Sequence, residues 1–262
     1  MMRALYSAAT GMVAQQLQID TTSNNIANVN TVGYKKQRAD FADLMYQTME
    51  YAGTATSSTT MSPTGVEVGL GVRPTAIGRI FTQGNFKETG NNLDMAITGD
   101  GFFQIQMPDG TISYTRNGVF KKDNEGNLVN SDGYRVLPEI VIPQDATQIS
   151  VGHDGIVSVL QAGQTEAAQI GQLEIVNFIN PAGLHGLGDN LYKNTSASGD
   201  PIPGTPGLNG LGQIRQGFLE MSNVQLVEEM TDLITGQRAY EANSKAIQTA
   251  DSMLQTVNGL KR

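Results

Sequence analysis

Residues 219–262 read LEMSNVQLVEEMTDLITGQRAYEANSKAIQTADSMLQTVNGLKR. Large apolar side chains recur in this stretch every seven residues, at Leu219, Leu226, Leu233, Tyr240, Ile247 and Leu254. A seven-residue apolar repeat of this length predicts one seam of a left-handed coiled coil. Ser222 and Gln225 have the spacing of a capping box, so we expect the helix to begin near Asn223 and to run to about Asn258.

A second, weaker row with the same spacing lies in the first part of the sequence, at Leu5, Met12, Ile19 and Ile26. Asn28, Asn30 and Gly33 follow this row, and such residues tolerate the left-handed backbone at a helix C-terminus, so the first helix is expected to end there. We expect the two terminal helices to pair, because each can cover part of the other's apolar stripe. The two rows together form the predicted self-assembly seam, since the shorter helix leaves part of the longer stripe for neighbouring subunits.

The middle of the sequence has the pattern of β structure. The turn Pro108-Asp109-Gly110 separates two apolar-rich runs, residues 102–107 and 112–115, which predicts a hairpin. Further turn pairs follow at short intervals, at Asn117-Gly118, Glu125-Gly126, Asp132-Gly133 and Asp154-Gly155. Regular turns of this kind are typical of short antiparallel strands in a sandwich or barrel. Residues 180–212 are rich in Gly, Pro and Asn and are expected to be loop.

The predicted fold class is α+β, with paired terminal coiled-coil helices, an inserted antiparallel β-rich domain and an extended arm. The predicted domains are a terminal helical domain (residues 1–30 and 219–262), an extended connecting arm (residues 31–70) and a β-rich outer domain (residues 71–218). Within the arm, residues 52–65 read AGTATSSTTMSPTG, which is too polar to build a core. Two interpretations remain open for this stretch: a disordered hinge, or an arm that orders only on a neighbouring molecule.

Composition excludes several classes of function. The chain has no cysteine, and its two histidines, His153 and His185, lie far apart, so we expect no metal site and no cofactor. A net charge of −8 argues against nucleic-acid binding, and no run of apolar residues is long enough for membrane insertion. No nucleophile or acid–base constellation is present, so an enzyme is not expected. The rival from another class is a monomeric β-rich secreted hydrolase or adhesin with helical tails.

Three amides at the end of the first predicted helix, Asn24, Asn25 and Asn28, are poor helix formers. They could simply terminate the helix. They could also make specific hydrogen bonds beside the seam, which would fix its register. The sequence leaves both interpretations open.

Two terminal stretches resemble the signatures of flagellar rod and hook proteins: TSNNIANVNTVGYKKQRADF (residues 22–41) and MTDLITGQRAYEANSKAIQTADSMLQTV (residues 230–257). Four internal stretches resemble the members of that family that form the distal rod: PTGVEVGLGVRPT (63–75), LDMAITGDGFF (93–103), YTRNGVF (114–120) and TPGLNGLG (205–212). The family-motif positions in this chain are Asn24, Asn25, Asn28, Gly33, Tyr34, Gln237, Arg238, Tyr240 and Asn243.

The resemblance implies a structural subunit of a rigid hollow tube that transmits torque from the motor to the hook. The alternative is a proximal rod or hook paralogue. The resemblance further implies export through the flagellar type III apparatus without a cleaved signal, and a location in the basal-body rod that spans the periplasm. The implied partners are copies of this chain, proximal rod proteins, the hook protein, the P and L ring proteins, the export apparatus and the rod cap. In the family, the segment corresponding to residues 46–65 is associated with a straight rod.

Overall fold

The computed structural model describes residues 2–54, 62–164 and 166–259, and the chain forms two compact units. The helical unit contains Met1–Ala27, Gln37–Gly78 and Gln225–Arg262, and the β unit contains Asn28–Lys36 and Arg79–Val224. The helical unit holds the elements α1 (Met2–Ala27), β1 (Gln37–Asp43), β2 (Tyr46–Glu50), β3 (Val66–Gly69), most of β4 (Val72–Arg79) and α2 (Leu226–Gly259).

The strands of the β unit are short and follow one another closely along the chain. They are β5 (Phe86–Glu88), β6 (Met95–Thr98), β7 (Phe102–Gln106), β8 (Ile112–Thr115), β9 (Lys121–Lys122), β10 (Leu128–Val129), β11 (Arg135–Leu137), β12 (Ala146–Val151), β13 (Ile156–Gln161), β14 (Ala168–Gln172), β15 (Ile175–Asn177), β16 (His185–Gly188), β17 (Leu191–Lys193), β18 (Ile202–Gly204), β19 (Gln213–Gln216) and β20 (Phe218–Glu220). One turn of 3₁₀-helix spans Pro181–Gly183.

The two terminal helices pack side by side in opposite directions. Asn25 near the end of α1 lies against Glu229 near the start of α2, with 3.1 Å between the side-chain atoms. Further along, Gly236 lies against Ile19, and Gly11 lies against Asn243. The sums of these paired residue numbers are nearly constant, which defines an antiparallel register. A Cβ on Gly236 would lie 3.2 Å from Ile19 Cγ1, so glycine allows the two helices to approach closely there.

The predicted start of the last helix is wrong. The helix begins at Leu226, and Leu219 lies in strand β20, where it is buried and opposite Lys87 of β5. Ser222 Oγ accepts a hydrogen bond from the Val224 N–H at 3.3 Å, so it does not cap the helix as predicted. Leu219 has the spacing of the helical apolar row, but its side chain is buried within the β unit. Leu219 is therefore not part of a helical seam.

The segment predicted as a single extended arm contains a β-hairpin. Strands β2 and β3 are antiparallel, with Tyr46 opposite Gly69 and Glu50 opposite Val66. Beyond the strands, the Gly53 N–H donates to the Ser62 carbonyl at 2.9 Å. The polar stretch at residues 55–61 lies outside the described residues. Strands β1 and β4 pair with each other as a separate two-stranded sheet.

The β unit is built on antiparallel strand pairs around its own apolar core. The predicted hairpin of β7 and β8 is confirmed, with Phe103 opposite Thr115. The largest sheet has the order β16-β17-β8-β7-β11-β10-β9, and β15 joins β7 to β18. The core residues are Met95, Ile97, Phe103, Ile105, Phe120, Leu128, Val136, Ile140, Ile142, Val157, Val159, Leu173, Ile175, Leu191 and Ile214. This core is large enough to stabilise the unit by apolar burial.

The prediction that residues 180–212 are loop is wrong, because this region contributes β16, β17 and β18. Its Gly and Pro content conceals the strands from pattern analysis. Leu191 and Tyr192 of β17 nevertheless bury their side chains and pair with β8, which extends the main sheet. Tertiary pairing therefore overrides the weak local β propensity of this stretch. Within residues 2–54, 62–164 and 166–259, neither helix combines the length and the apolar character that crossing a membrane requires.

Candidate assembly surface and junction clusters

The terminal helices expose large apolar side chains on the sides that face away from each other. On α2, Val227 is 77% exposed, and Met230 and Ile234 are exposed as well. At 100° per residue, these three positions lie roughly 150° around the helix from the side that contacts α1. We call these three residues the α2 patch.

A matching set lies on α1. Met2 is 76% exposed, and Tyr6 and Val13 are exposed too. These residues project from the side of α1 opposite Gly11 and Asn25, which lie against α2. We call these three residues the α1 patch. Because the helices are antiparallel, the two patches lie toward opposite ends of the helix pair, so a second molecule could contact them separately.

The predicted seam residues are divided between the inside and the outside of this helix pair. Leu233, Ile247 and Leu254 on α2 are half-buried, whereas Leu226 and Tyr240 are exposed. A straight α-helix drifts about 20° per heptad relative to a strict seven-residue row, so one such row cannot stay on one contact line. On α1 the row is half-buried throughout, at Leu5, Met12, Ile19 and Ile26.

Asn25 makes side-chain hydrogen bonds to two other elements of the fold. Its Nδ2 donates to the Gln37 carbonyl at 2.8 Å, and the Gln37 N–H donates to its Oδ1 at 2.9 Å. Nδ2 also donates to Glu229 Oε2 at 3.1 Å, and both side chains are buried. This buried amide therefore joins the end of α1, the start of β1 and the first turns of α2. For Asn25, the interpretation as a specific hydrogen-bonding residue is correct.

The other N-terminal motif residues lie on either side of the boundary between the units. Asn24 is exposed in the last turns of α1. In the β unit, Asn28 accepts hydrogen bonds from Thr31 through both its backbone oxygen and its side chain, and Tyr34 is buried. Gly33 has φ = 71°, and a Cβ there would lie 2.7 Å from the backbone nitrogen of Asn117, so glycine is required on two grounds.

The C-terminal motif residues lie on α2. Gln237, Arg238 and Tyr240 are exposed, while Asn243 is half-buried. A Cβ on Gly11 would lie 2.9 Å from Asn243 Nδ2, which makes this the second position where glycine allows the helices to meet. The structure thus brings Asn243 into the helix pair and leaves Gln237 and Arg238 facing solvent.

A buried charge cluster lies within the β unit, and sequence reasoning missed it. Glu220 Oε1 accepts from Lys35 Nζ at 2.6 Å, and Glu220 Oε2 accepts from Arg116 Nη1 at 3.3 Å. The Lys35 and Glu220 side chains have no exposed surface. Lys35 Nζ also donates to the Thr82 carbonyl at 2.8 Å, and Arg116 Nη2 donates to the Gly99 carbonyl at 2.7 Å. Removing one partner from such a cluster is costly, because it leaves a buried charge without compensation.

Lys35 gives the stability of the β unit a testable pH dependence. Burial lowers the pKa of the Lys35 ammonium below 10.5, although Glu220 acts in the opposite direction. Below pH 10.5 the unfolded chain therefore binds more protons at Lys35 than the folded chain does, so this residue's contribution to stability rises with pH. We expect the melting temperature of the wild type, minus that of Lys35→Met, to increase between about pH 8 and about pH 10. Thermal unfolding followed by circular dichroism measures this difference.

Burial also raises the pKa of Tyr114 and Tyr192, which makes both proteins lose stability at high pH. That effect is common to wild type and variant and cancels in the difference. A difference that stays constant or falls with pH would show that burial does not lower the pKa of Lys35 in the folded protein.

The exposed apolar side chains of both terminal helices are surfaces suited to association with other chains. Family models match three parts of the sequence: "Flagella basal body rod protein" at residues 5–35, "Flagellar hook protein FlgE/F/G D1 domain" at residues 96–159 and "Flagellar basal body rod FlgEFG protein C-terminal" at residues 215–260.

Full-length relatives agree with these matches. The chain is 53% identical to the flagellar basal-body rod protein FlgG of Borreliella burgdorferi, over 100% of both chains. In Bacillus subtilis it is 45% identical to the rod protein FlgG and 32% identical to the flagellar hook-basal body complex protein FlhP, each over 100% of both chains. The chain belongs to the flagellar basal-body rod protein family.

Proposed function

We propose that this chain is a structural subunit of the flagellar distal rod, which assembles with copies of itself into a rigid hollow helical tube. The tube transmits torque from the motor to the hook. The observation that carries the proposal is the full-length similarity to proteins named as rod protein FlgG, together with the α1 and α2 patches. Exposed apolar surface on both terminal helices favours association, because burying it between subunits removes it from water.

The positions of the α1 and α2 patches favour a polymer over a closed dimer. The α1 and α2 patches lie on different helices and toward opposite ends of the pair. A contact between unlike surfaces on successive copies generates a helical assembly when the rotation between copies does not close into a ring. In this proposal the terminal helices form coiled-coil layers around the axis, and the β units lie outside them.

The alternative, a proximal rod or hook paralogue, has less support. Within one organism, the relative named as a rod protein is more similar to this chain than the relative named as a hook-basal body complex protein. Both comparisons cover all of this chain, so the difference does not arise from a missing domain.

The remaining parts of the proposal concern location and partners. The chain is placed in the basal-body rod, where it spans the periplasm after export without a cleaved signal. Its partners are proximal rod proteins, the hook protein and the surrounding P and L ring proteins, with the export apparatus and rod cap taking part during assembly. No catalysis, nucleic-acid binding or membrane insertion is assigned to it. The hairpin of β2 and β3 is the arm that braces neighbouring subunits.

Polymerisation of the purified protein tests the proposal. We expect it to form straight tubes with a central channel, with the terminal helices innermost when the tubes are reconstructed by cryo-electron microscopy. Expression in cells that lack their own distal rod protein should restore swimming. A protein that stays monomeric at every concentration and does not restore swimming would contradict the proposal.

A further inference from the structure

The chain segments that lead out of the β unit are fastened to one another inside it. The chain passes between the two units after residues 27, 36, 78 and 224. Three segments of the β unit therefore adjoin the helical unit along the chain. The first is residues 28–36, the second begins at residue 79, and the last ends at residue 224. Two buried or half-buried side chains of the last segment, Glu220 and Asn223, hold all of these segments together.

Glu220 contacts both of the other segments. Its carboxylate accepts from Lys35 Nζ at 2.6 Å and from the Gly84 N–H at 3.0 Å, both through Oε1. Its backbone oxygen accepts from the Gly33 N–H at 2.8 Å. Arg116 Nη1, bonded to Oε2 at 3.3 Å, ties the same carboxylate to the core of the unit.

Asn223 repeats this arrangement with uncharged groups. Its Oδ1 accepts from the Lys36 N–H at 2.7 Å, while its Nδ2 donates to the Ile80 carbonyl and to Thr82 Oγ1, both at 2.9 Å. The segment at residues 28–36 and the segment that begins at residue 79 also bond directly, because the Ile80 N–H donates to the Lys36 carbonyl at 2.9 Å. Every pair of the three segments is therefore joined by at least one hydrogen bond.

We propose that Glu220 and Asn223 form a junction clamp that makes these segments respond to force as one body. This inference rests on the proposed function, since a subunit that transmits torque carries force along the chain between its units. A single connecting segment would stretch until its own bonds broke. Segments bonded side by side share the load, because bonds in several segments must break together.

The residue types suit this role. A carboxylate offers two oxygens and several lone pairs, so one side chain can accept from two cations and a backbone N–H at once. A primary amide offers both donors and an acceptor, which matches the backbone groups of two segments. Because a buried charge without its partner is costly, the Lys35–Glu220–Arg116 cluster favours complete assembly over partial opening.

The helical unit has its own counterpart in Asn25. That side chain bonds Gln37 and Glu229, which lie just after two of the same passages through the chain. Each unit thus fastens the segments that leave it by means of buried polar side chains. We treat Glu220 and Asn223 as positioning residues, because they act through the backbone they hold.

Hydrogen exchange of the full-length monomer, followed residue by residue, tests the clamp. In Glu220→Gln the Gly84 amide should exchange about tenfold faster, since its charged acceptor is lost. The decisive amides are those of Lys36 and Ile80, which donate to Asn223 Oδ1 and to the Lys36 carbonyl rather than to Glu220. If the clamp acts as one body, they should also exchange faster by a similar factor. In the reciprocal variant, Asn223→Ala, the Lys36 amide should respond directly and the Gly84 amide indirectly.

Glu139→Gln is the matched control, because it makes the same chemical change in an exposed ion pair with Arg135. It should leave all of these amides unchanged. Faster exchange confined to amides that directly contact the altered side chain would overturn the clamp. If Glu220→Gln fails to fold, Asn223→Ala alone gives the same decision through the Gly84 amide. Polymerisation of the wild type tests the proposed function separately, so the two ideas can fail independently.

Discussion

Replacing Val227 and Ile234 together with Asp is expected to raise the protein concentration needed for polymerisation by about a hundredfold or more. Both side chains are exposed in the α2 patch, and the proposed contact with a second copy would bury them. The double variant loses their apolar burial and places two carboxylates where no partner charge has been arranged. Sedimentation of polymer across a concentration series, with electron microscopy of the pellets, measures the effect.

The isolated variant should keep its fold, which separates loss of assembly from loss of structure. Val227 is the second residue of α2, where an added carboxylate interacts favourably with the helix dipole. Ile234 is exposed in the middle of the helix, so Asp there costs only its lower helix propensity, about 0.5 kcal/mol. The far-ultraviolet circular dichroism of the variant should therefore match that of the wild type.

A control with the same added charge lies on the β unit. Ile179 and Leu187 are exposed apolar residues there, and replacing both with Asp adds two carboxylates away from the helices. This control should polymerise at nearly the wild-type concentration. Equal loss of assembly in both variants would assign the effect to net charge, and normal assembly of the α2 variant would exclude the patch as the contact.

The sequence predicts the terminal helices and the first hairpin of the β unit because local patterns specify them. Helix α1 follows from its apolar row, and the turn at Pro108-Asp109-Gly110 connects β7 and β8. The prediction of where α2 begins is wrong, because a seven-residue apolar period does not distinguish Leu226 in a helix from Leu219 in a strand. Leu219 is buried in the β unit, whereas Leu226 is exposed at the start of α2.

The Lys35–Glu220–Arg116 cluster and the contacts of Asn25 could not be predicted, because the residues that meet are distant in sequence. Lys35 and Glu220 are 185 residues apart, and Arg116 and Glu220 are 104 residues apart. Lys35 falls within the N-terminal signature, but a lysine in a polar stretch gives no local indication that it is buried. Asn25 was a candidate from its poor helix propensity, although Gln37 and Glu229 as its partners became evident only from the fold.

Shortening the hairpin of β2 and β3 is expected to leave polymerisation intact and to make the resulting tubes flexible. Met45, Tyr46, Met49, Tyr51 and Val66 are exposed along this hairpin, an unusual amount of apolar and aromatic surface for two short strands. In the proposed rod, this surface lies across neighbouring subunits and opposes sliding between them. The helix contacts that drive assembly lie elsewhere and should persist.

Deleting residues 53–60 tests whether the segment between the strands takes part in the brace, because it keeps the paired strands and the five exposed side chains named above. The β2–β3 register from Tyr46 to Glu50 needs no residue of the deleted segment. Tubes of the deletion variant should curve visibly in electron micrographs, and their persistence length should fall severalfold below that of the wild type.

A second variant asks whether apolar side chains carry the bracing. Met49→Ser with Tyr51→Ser keeps the full length of the hairpin and removes two exposed side chains at the end of β2. Gln47→Ser in the same strand is the control, since it removes an exposed polar side chain. The double variant should soften the tubes, and the control should not. Straight tubes of unchanged stiffness in both the deletion and the double variant would reject the brace, and the hairpin would then serve only as a connection between β1 and β4.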